Sequence, residues 1–255
     1  TNKIIDKEIS DTSGNIIFSL DDKHIFYSKL DENHRARKIY RHEIGNFNDK
    51  DVLIFEEKSE AFTVSIGLTS DEKYFLISTS DHNTSEQYYF NADEKSPKPK
   101  LIQKREKGII YSVNSWDGYF YMHTNKDAED FKIEKTKNKK FEQWETFIPA
   151  KDETLIGGLT FLKNWIIRSE VSNALGKIFV KNLKTNTEEE LIFSEEKVYD
   201  GGVSLIQKDK NTDLIHISYS TPKTQSRVYL YNLKTREKKL VKEQIIPSGH
   251  NPNDY

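Results

Sequence analysis

Short apolar runs recur along the chain, each about four to seven residues long and rich in Ile, Val, Phe and Tyr. Asn, Asp, Gly, Ser or Pro bound most of them, and this combination predicts β-strands. The charged region 127–144 is the best helical candidate, but its apolar residues Phe131, Ile133 and Phe141 form no sustained stripe with a 3.6-residue period. We therefore predict two strands and a turn there.

One type of apolar run returns at a nearly constant spacing. It reads HIFYSKL, YFLISTS, YFYMHTN, WIIRSEV and LIHISYS, with starts at residues 24, 74, 119, 165 and 214, so the steps are 50, 45, 46 and 49 residues. A further run precedes each of these, and two more follow it across polar turns. Four strands in a repeat of this length are typical of one blade of a β-propeller, in which four-stranded sheets surround a central channel.

The predicted fold class is all-β: a β-propeller with about five four-stranded antiparallel blades. These blades cover residues 11–58, 61–106, 108–152, 154–197 and 199–246. The last strand of a blade is the most charged, as in KLIQKR from residue 100, ELIFSE from 190 and KLVKEQ from 239. An outermost strand meets water, and charges there protect it against pairing with another edge.

The tetrapeptide Asn-Leu-Lys-Thr occurs twice, at residues 182–185 and 232–235, between the third and fourth strands of the last two repeats. A catalytic motif is not normally duplicated in this way. We predict a turn in each copy, with the Asn and Thr side chains hydrogen-bonded to the local backbone.

Composition excludes several function classes. The 255 residues carry 39 basic and 41 acidic side chains, so no net field favours nucleic acid or an anionic membrane as a partner. No apolar run approaches the roughly 20 residues of a membrane-spanning helix. The absence of cysteine removes disulfides, thiolate metal sites and cysteine nucleophiles, and it is compatible with a reducing compartment. We expect a cytoplasmic protein.

Candidate chemistry is sparse, and we assign no catalytic, cofactor-binding or metal-binding residue and no cofactor. The chain has no Gly-x-Ser-x-Gly motif and no phosphate-binding glycine loop. Its seven histidines form no ligand pair. Asp81, His82, Ser85 and Glu86 lie close enough in sequence to suggest a triad, but they fit a hairpin loop better, because triad members normally come from separate segments.

Three further patterns favour structural roles. The dipeptide Trp116-Asp117 imitates a propeller-family signature, but it precedes a second strand instead of ending a third. The glycine pairs 157–158 and 201–202 fall in first strands, where backbones crowd together. The charged runs 188–190 and 236–239 are predicted to be solvated surface on outer turns.

Several long segments resemble one family. They are SLDDKHIFYSKLDENHRARKIYRHEIGNFNDKDVLIFEEK from residue 19, FLISTSDHNTSEQYYF from 75, GYFYMHTNKDAEDFKI from 118 and STPKTQSRVYLYNLKTREKKLVKEQIIPSGHNPNDY from 220. They resemble the propeller of the prolyl oligopeptidase family of serine peptidases, most closely its oligopeptidase B, or protease II, branch. The resemblance implies a seven-bladed propeller over an α/β-hydrolase domain. It also implies cleavage of short peptides after Arg or Lys, while the propeller denies folded proteins access.

In that family the catalytic triad and the acidic specificity pocket belong to the hydrolase domain, so none of them is carried onto a position here. We expect a partial propeller without activity of its own, with residues 247–255 as a linker towards a missing hydrolase domain. The expected partners are short peptides and that domain, and exposed blade edges predict self-association.

Two alternatives stay open. The first is a stand-alone propeller that acts as a protein-interaction scaffold. The second, ranked last, is a glycan-processing propeller, which needs a cluster of inward carboxylates. The predicted inner strands IIFSL, IIYSV and GGVSLI carry none.

Overall fold

The computed structural model of the chain describes residues 9–192, 198–206, 210–249 and 251. Within these ranges the chain forms twenty β-strands and one short 3-10 helix, Asn48–Lys50. The strands build five four-stranded antiparallel sheets, and the four strands of each sheet follow one another in sequence. The predicted all-β fold of five such sheets is confirmed. Contacts divide the chain into two compact units, residues 1–149 and 150–255.

The first unit holds three sheets. The first sheet contains β1 (Thr12–Phe18), β2 (His24–Leu30), β3 (Ala36–Glu43) and β4 (Val52–Glu56). The second contains β5 (Thr63–Leu68), β6 (Tyr74–Ser80), β7 (Ser85–Asn91) and β8 (Lys100–Gln103). The third contains β9 (Tyr111–Trp116), β10 (Tyr119–Thr124), β11 (Lys132–Lys137) and β12 (Glu145–Ile148).

The second unit holds two sheets. The fourth sheet contains β13 (Thr154–Leu162), β14 (Trp165–Ser172), β15 (Leu175–Asn182) and β16 (Thr187–Glu190). The fifth contains β17 (Asp200–Ser204), β18 (Leu214–Ser220), β19 (Arg227–Asn232) and β20 (Lys238–Glu243).

Alternating side chains give the strands of the first unit apolar faces that pack sheet on sheet. The first and second sheets meet through Phe26, Phe75 and Phe90, and the ring centroid of Phe26 lies 4.7 Å from that of Phe75 and 5.6 Å from that of Phe90. The second and third sheets meet through a cluster that includes Leu76 and Phe120. Aromatic pairs at these distances add about 0.5–1.5 kcal/mol each beyond their buried area.

The fourth and fifth sheets of the second unit also pack face to face. Ile167 of β14 and Ile215 and Ile217 of β18 belong to one buried cluster. At the side of this cluster the indole N–H of Trp165 donates to Asp213 Oδ1 at 2.7 Å. The buried polar end of the tryptophan is therefore satisfied, as a core tryptophan requires.

The two Asn-Leu-Lys-Thr copies are turns, as predicted. In the first copy Asn182 Oδ1 accepts the N–H groups of Lys184 and Thr185 at 2.9 and 3.3 Å. In the second copy Asn232 Oδ1 accepts the equivalent N–H groups at 2.9 and 3.1 Å. Each turn joins the third strand of a sheet to the fourth.

The structure places the Trp116-Asp117 dipeptide in a hairpin between the first and second strands of the third sheet. Trp116 ends β9 and pairs with Tyr119 of β10. Asp117 and Gly118 fill the two turn positions, with φ angles of 50° and 79°. A two-residue turn with positive φ at both positions matches the twist of the flanking strands. The Trp116-Asp117 dipeptide is therefore explained by its place at the start of a hairpin turn.

The region 127–144 contains no helix among the described residues. It contains β11 and the turn that follows, and the second predicted strand, β12, begins one residue beyond it at Glu145. Asn138 and Lys139 in that turn have φ angles of 57° each. The prediction of two strands and a turn is therefore confirmed for one strand and the turn, and the second strand lies just outside the region.

One predicted strand is wrong. The pattern placed the last strand of the fourth sheet at residues 190–195, whereas β16 is Thr187–Glu190. The preceding turn ends at residue 186, so pairing with β15 begins at once, with Thr187 opposite Asn182 and Glu190 opposite Phe179. All four residues of β16 are polar and exposed, so this strand has no apolar signal to read. Residues 193–195 lie outside the described residues.

The glycines of the two predicted pairs differ in whether a Cβ atom would fit at their positions. A Cβ at Gly157 would lie 2.8 Å from the carbonyl oxygen of Ser169, and one at Gly202 would lie 3.0 Å from Ser218 Oγ. Gly158 faces open space. Close approach to the backbone of Ser169 therefore explains Gly157, whereas Gly202 approaches only the Ser218 hydroxyl and Gly158 approaches nothing within 4 Å.

Candidate functional site

The first strand of each sheet lies at a sheet edge and pairs only with the second strand. β1, β5, β9 and β13 carry no charged residue, and β17 has a single one, Asp200. The last strands carry charges, most densely in β16 and β20. The predicted contrast between first and last strands is confirmed, but the charge does not rise steadily, because β3 and β11 carry four charged residues each, against one each in β4 and β12. An uncharged edge is able to meet an extended peptide without trapping it through ion pairs.

The free edge of β9 is hydrogen-bonded by side chains of the second sheet. The N–H of Tyr111 donates to Ser85 Oγ at 2.6 Å, and the N–H of Val113 donates to Gln87 Oε1 at 2.7 Å. Ser85 Oγ–H donates back to the carbonyl oxygen of Tyr111 at 2.8 Å. These oxygens take the place of a neighbouring strand, so β9 does not offer these N–H groups to a ligand.

Two arginines of β3 and its preceding turn hold the connection between the first and second sheets. Nε and Nη2 of Arg37 donate to the carbonyl oxygen of Glu57 at 3.0 and 2.8 Å. Nη2 of Arg35 donates to the carbonyl oxygen of Ala61 at 2.9 Å. The segment that carries the chain from one sheet to the next is therefore fixed at both ends.

A third arginine joins two buried glutamates in the same place. Arg105 Nη2 lies 2.6 Å from Glu57 Oε2 and 3.0 Å from Glu86 Oε1, and its guanidinium lies 4.1 Å from the Phe62 ring centroid. Burial opposes the charged form of Glu57, but hydrogen bonds from Thr79, a backbone N–H and Arg105 outweigh it and lower the pKa of Glu57. The two carboxylates are therefore ionised and compensated.

The same two opposing effects act on the pKa of Glu86. Burial opposes its ionisation, but hydrogen bonds from Arg105 and Tyr88 lower the pKa of Glu86. Burial, together with the bond to this carboxylate, raises the pKa of Tyr88 to about 12. The tyrosine stays neutral and acts as a donor at physiological pH.

The second unit has a charged cluster of its own on the fourth sheet. Arg168 Nε donates to Glu170 Oε1 at 2.9 Å, and its two Nη atoms donate to the carboxylate of Glu188 at 2.8 and 3.1 Å. Lys151 Nζ lies 2.7 Å from Glu170 Oε1. The Arg168 guanidinium also stacks over Phe179, 4.7 Å from its ring centroid. Two positive and two negative groups balance in a largely buried setting.

Both charged runs are exposed, as predicted, but residues 188–190 lie on strand β16 and residues 238–239 on strand β20 instead of on outer turns. Glu188 lies on strand β16, and its carboxylate is bound to buried Arg168, which lowers the pKa of Glu188 against the opposing effect of burial. Glu189 forms an ion pair with Arg236, from the turn of the fifth sheet. Glu188 of β16 thus contacts Arg168 of β14 within the fourth sheet, and Glu189 contacts Arg236 of the fifth sheet.

The residues that suggested a triad are separated by the fold. Asp81 Oδ1 accepts the N–H groups of Asn83 and Thr84 in the β6–β7 hairpin loop. His82 is exposed. Ser85 contacts β9 and Glu86 contacts Arg105. The hairpin interpretation of this stretch is therefore confirmed.

A buried group of three polar side chains in the first sheet has no sequence signal. Tyr27 O–H donates to Asp51 Oδ2 at 2.9 Å, and His42 Nδ1 lies 2.6 Å from Asp51 Oδ1. The His42 and Asp51 side chains are 8% and 3% exposed. Burial, and then the bond to Asp51, raise the pKa of Tyr27. The three come from β2, β3 and the segment before β4, and they tie those segments together.

Across the ranges that the structure describes, no group of three or more His, Asp or Glu side chains is arranged to hold a metal ion. In the same ranges, no helix has the length and apolar character needed to cross a membrane.

Five sheets of four consecutive antiparallel strands, with little or no charge on the first strand and charge on the last, define the chain as a β-propeller protein. Comparison with known proteins gives the family. Residues 1–244 match the family model described as "Prolyl oligopeptidase, N-terminal beta-propeller domain". The chain belongs to the prolyl oligopeptidase family, as the sequence predicted.

Two relatives match most of the chain. Dipeptidyl aminopeptidase BI of Pseudoxanthomonas mexicana is 25% identical over 100% of this chain and 35% of its own length. Protease 2 of Moraxella lacunata is 26% identical over 88% of this chain and 32% of its own length. The chain therefore spans about a third of each relative.

Solved structures show the same fold. Oligopeptidase B from Trypanosoma brucei, with covalently bound antipain in a closed form, superposes with a TM-score of 0.89 at 24% identity, over 98% of this chain and 37% of that one. Oligopeptidase B from Leishmania major also gives 0.89, at 18% identity, over 99% and 37%.

Proposed function

We propose that this chain is the propeller part of a serine-type oligopeptidase and filters peptides by size on their way to an active site in an accompanying hydrolase domain. The proposed cleavage follows Arg or Lys. The match of residues 1–244 to the propeller model of a peptidase family carries the proposal. The similarity to Protease 2 supports peptidase activity of the whole protein, and the position after Arg or Lys follows from the resemblance of the chain's segments to the oligopeptidase B branch.

The uncharged first strands support the filtering role. A peptide that passes them meets neutral side chains such as Ser65 and Ser112, both exposed, so neither acidic nor basic substrates are retained. The hydrogen bonds from Ser85 and Gln87 to β9 keep the first strand of the third sheet in place. We propose that a lining fixed in this way excludes folded proteins.

The test uses the complete polypeptide encoded by the gene that contains this chain. Fluorogenic peptides with one internal Arg, in lengths of about 4, 12 and 30 residues, are compared with a folded protein that displays the same Arg site on a surface loop. We expect hydrolysis of the short peptides, a fall in kcat/KM with length, and no cleavage of the folded protein. Equal rates on all four substrates would refute the filter.

A serine-reactive inhibitor supplies the chemical control, because a serine peptidase must lose its turnover when its nucleophile is modified. The 255-residue chain alone is expected to hydrolyse none of the substrates. Turnover by the purified chain that the inhibitor abolishes would contradict the placement of the active site in another domain.

The similarity to Dipeptidyl aminopeptidase BI favours a second candidate, the removal of dipeptides from free N-termini. Mass spectrometry of the products separates the two. Cleavage after an internal Arg in an N-acetylated peptide supports the first candidate. Release of successive dipeptides, blocked by N-acetylation, supports the second. A gene product without any Gly-x-Ser-x-Gly segment would instead favour a scaffold protein.

A further inference from the structure

Strand β6 of the second sheet has two apolar faces, and each face meets a different neighbour. Ile77 belongs to the buried cluster shared with the first sheet, together with Phe26 and Ile39. Leu76, the preceding residue, belongs to the buried cluster shared with the third sheet, together with Phe120. Adjacent residues of a strand point to opposite faces, so the second sheet is packed between the other two.

Hydrogen bonds join the second sheet to the start of β9 in the third sheet. The N–H of Ser85 donates to the carbonyl oxygen of Ile109 at 3.0 Å. The N–H of Gln87 donates to the hydroxyl oxygen of Tyr111 at 2.7 Å. These bonds add to those from the Ser85 and Gln87 side chains to the backbone of β9.

A second set of hydrogen bonds holds the far end of β9 to the turn before β6. The N–H of Ser70 donates to Asn114 Oδ1 at 2.7 Å, and Asn114 Nδ2 donates to Ser70 Oγ at 3.0 Å. The N–H of Asp71 donates to the carbonyl oxygen of Ser115 at 3.3 Å, and Ser115 Oγ–H donates to Asp71 Oδ2 at 2.8 Å. Hydrogen bonds need a fixed geometry, so separation of these two sheets breaks the bonds together.

The contact between the first and second sheets is held in another way. Its centre is the packing of aromatic rings. Within the described residues, no hydrogen bond joins a strand of the first sheet to a strand of the second. The arginines of β3 and its preceding turn donate to carbonyl oxygens at residues 57, 61 and 95, which lie outside the strands of the second sheet.

The first sheet also keeps apolar side chains in water. Ile16 and Phe18 of β1 are each 50% exposed, and Leu53 of β4 is 45% exposed. Apolar packing has no fixed direction, so the first sheet moves against the second without breaking a set of aligned bonds. Elements with fewer buried contacts open at a lower free energy than the rest of a structure.

We infer that the second and third sheets open and close as one body, and that the apolar contact between the first and second sheets is the joint at which the first unit opens. A movable joint beside a rigid pair of sheets lets the first unit change shape while the capped edge of β9 stays in place. The order in which these sheets separate is independent of the proposed function, since it depends on contacts within the chain alone.

Leu76 and Ile77 are a matched pair of probes, because the chain has no cysteine and each single substitution introduces its only thiol. We expect the thiol of Ile77→Cys to react with iodoacetamide about tenfold faster or more than that of Leu76→Cys under native conditions. Each rate is measured by mass spectrometry and divided by the rate of the same variant in denaturant. The static structure predicts the opposite order, since Ile77 is 0% exposed and Leu76 is 8% exposed. Equal rates, or a faster reaction of Leu76→Cys, would overturn the joint.

The hydrogen bonds to β9 are tested in the Leu76→Cys protein. Adding Gln87→Met removes the acceptor of the Val113 N–H, and we expect the thiol to react about fivefold faster or more. Gln103→Met is the matched control, because the Gln103 side chain makes no hydrogen bond to any described residue, and it should leave the rate unchanged. An unchanged rate with Gln87→Met would show that these bonds do not hold the two sheets together as one body.

Hydrogen exchange of the unsubstituted 255-residue chain provides a test without any variant. Amides of β7 and β10, in the second and third sheets, should share one free energy of opening, whereas amides of β2 in the first sheet should exchange about tenfold faster or more. Comparable exchange in all three strands would overturn the joint. Faster exchange in β10 than in β7 would overturn the single body.

Discussion

Both units place an arginine between two glutamates, but the two clusters differ in what they join. Arg105 contacts Glu57, in the connection from the first sheet, and Glu86, in the second sheet, so it ties two sheets together. Arg168 contacts Glu170 and Glu188 within the fourth sheet. Its side chain is 4% exposed, against 25% for Arg105.

The difference shows how depth sets the effect of losing a charge. Arg105 is a quarter exposed, so water can reach the space that its loss leaves beside Glu57 and Glu86, although both carboxylates are themselves only 6% exposed. Arg168 is 4% exposed, so Glu170 stays desolvated with Lys151 as its one remaining cation, which costs more than the pair contributed when intact. We therefore expect the fourth sheet to be the more sensitive of the two clusters.

The largest effect is expected for Arg168→Met. It leaves Glu170 buried with Lys151 as its remaining cation, and we expect a loss of about 3 kcal/mol, the low end for breaking a buried ion pair. Hydrogen exchange of amides in the fourth sheet under increasing urea measures it. Arg227→Met is the matched control, because its partner Glu243 and the arginine itself are more exposed, and it should cost less than about 1 kcal/mol. Equal losses of stability in the Arg168 and Arg227 variants would show that burial of the arginine does not set the cost of removing it.

The substitution Arg105→Met should cost about 2 kcal/mol at neutral pH, between the surface and buried limits, since this arginine is partly exposed. The wild-type cluster lowers the pKa of both glutamates, so its contribution is present above their unfolded pKa of about 4.3 and is lost as pH falls through the folded values.

Without Arg105 the two carboxyls repel each other and their pKa values rise. The variant therefore gains stability relative to the wild type as the pH falls from 7 towards 4. Urea unfolding at several pH values measures the free energy of unfolding of both proteins. If the difference between variant and wild type stayed constant from pH 7 to pH 4, Arg105 would not be the group that lowers the pKa of the two glutamates.

A smaller effect is expected for Gln87→Met, which leaves the buried Val113 N–H without an acceptor. An unsatisfied buried donor costs about 1–3 kcal/mol. Hydrogen exchange at Val113 should accelerate, while Gln103→Met leaves it unchanged. This result would extend the comparison from charged to neutral contacts between sheets.

The smallest effect belongs to the two turns. Asn182→Ala and Asn232→Ala each remove a side-chain acceptor from an exposed turn, and we expect about 0.5–1.5 kcal/mol each from the lost hydrogen bonds. Asn→Asp at either position keeps the acceptor, so the stability of that variant should stay close to that of the wild type. Thermal unfolding of the Ala and Asp variants at both positions measures the effect. A large loss of stability with Asp would show that the side-chain acceptor does not stabilise the turn.

The strands and turns were largely predictable because their signals are local. Apolar alternation located strands such as β6 and β14, and the repeated Asn-Leu-Lys-Thr located two turns. β16 was missed because its residues, Thr187–Glu190, are all polar and its position depends on pairing with β15.

The candidate site was less predictable. The sequence indicated uncharged first strands, but it gave no sign that Gln87 binds the backbone of Val113. It also gave no sign that the exposed Glu188 binds Arg168, which is buried in the same sheet. Partners about 20 to 50 residues apart leave no local pattern.

By itself, the sequence determined the repeat, the all-β class and the family, since each depends on the order and type of residues along the chain. Only the tertiary structure decided that the edge of β9 is capped and which charges are buried. The physical reason is that these properties belong to pairs of distant segments, and their energies depend on the burial that packing creates.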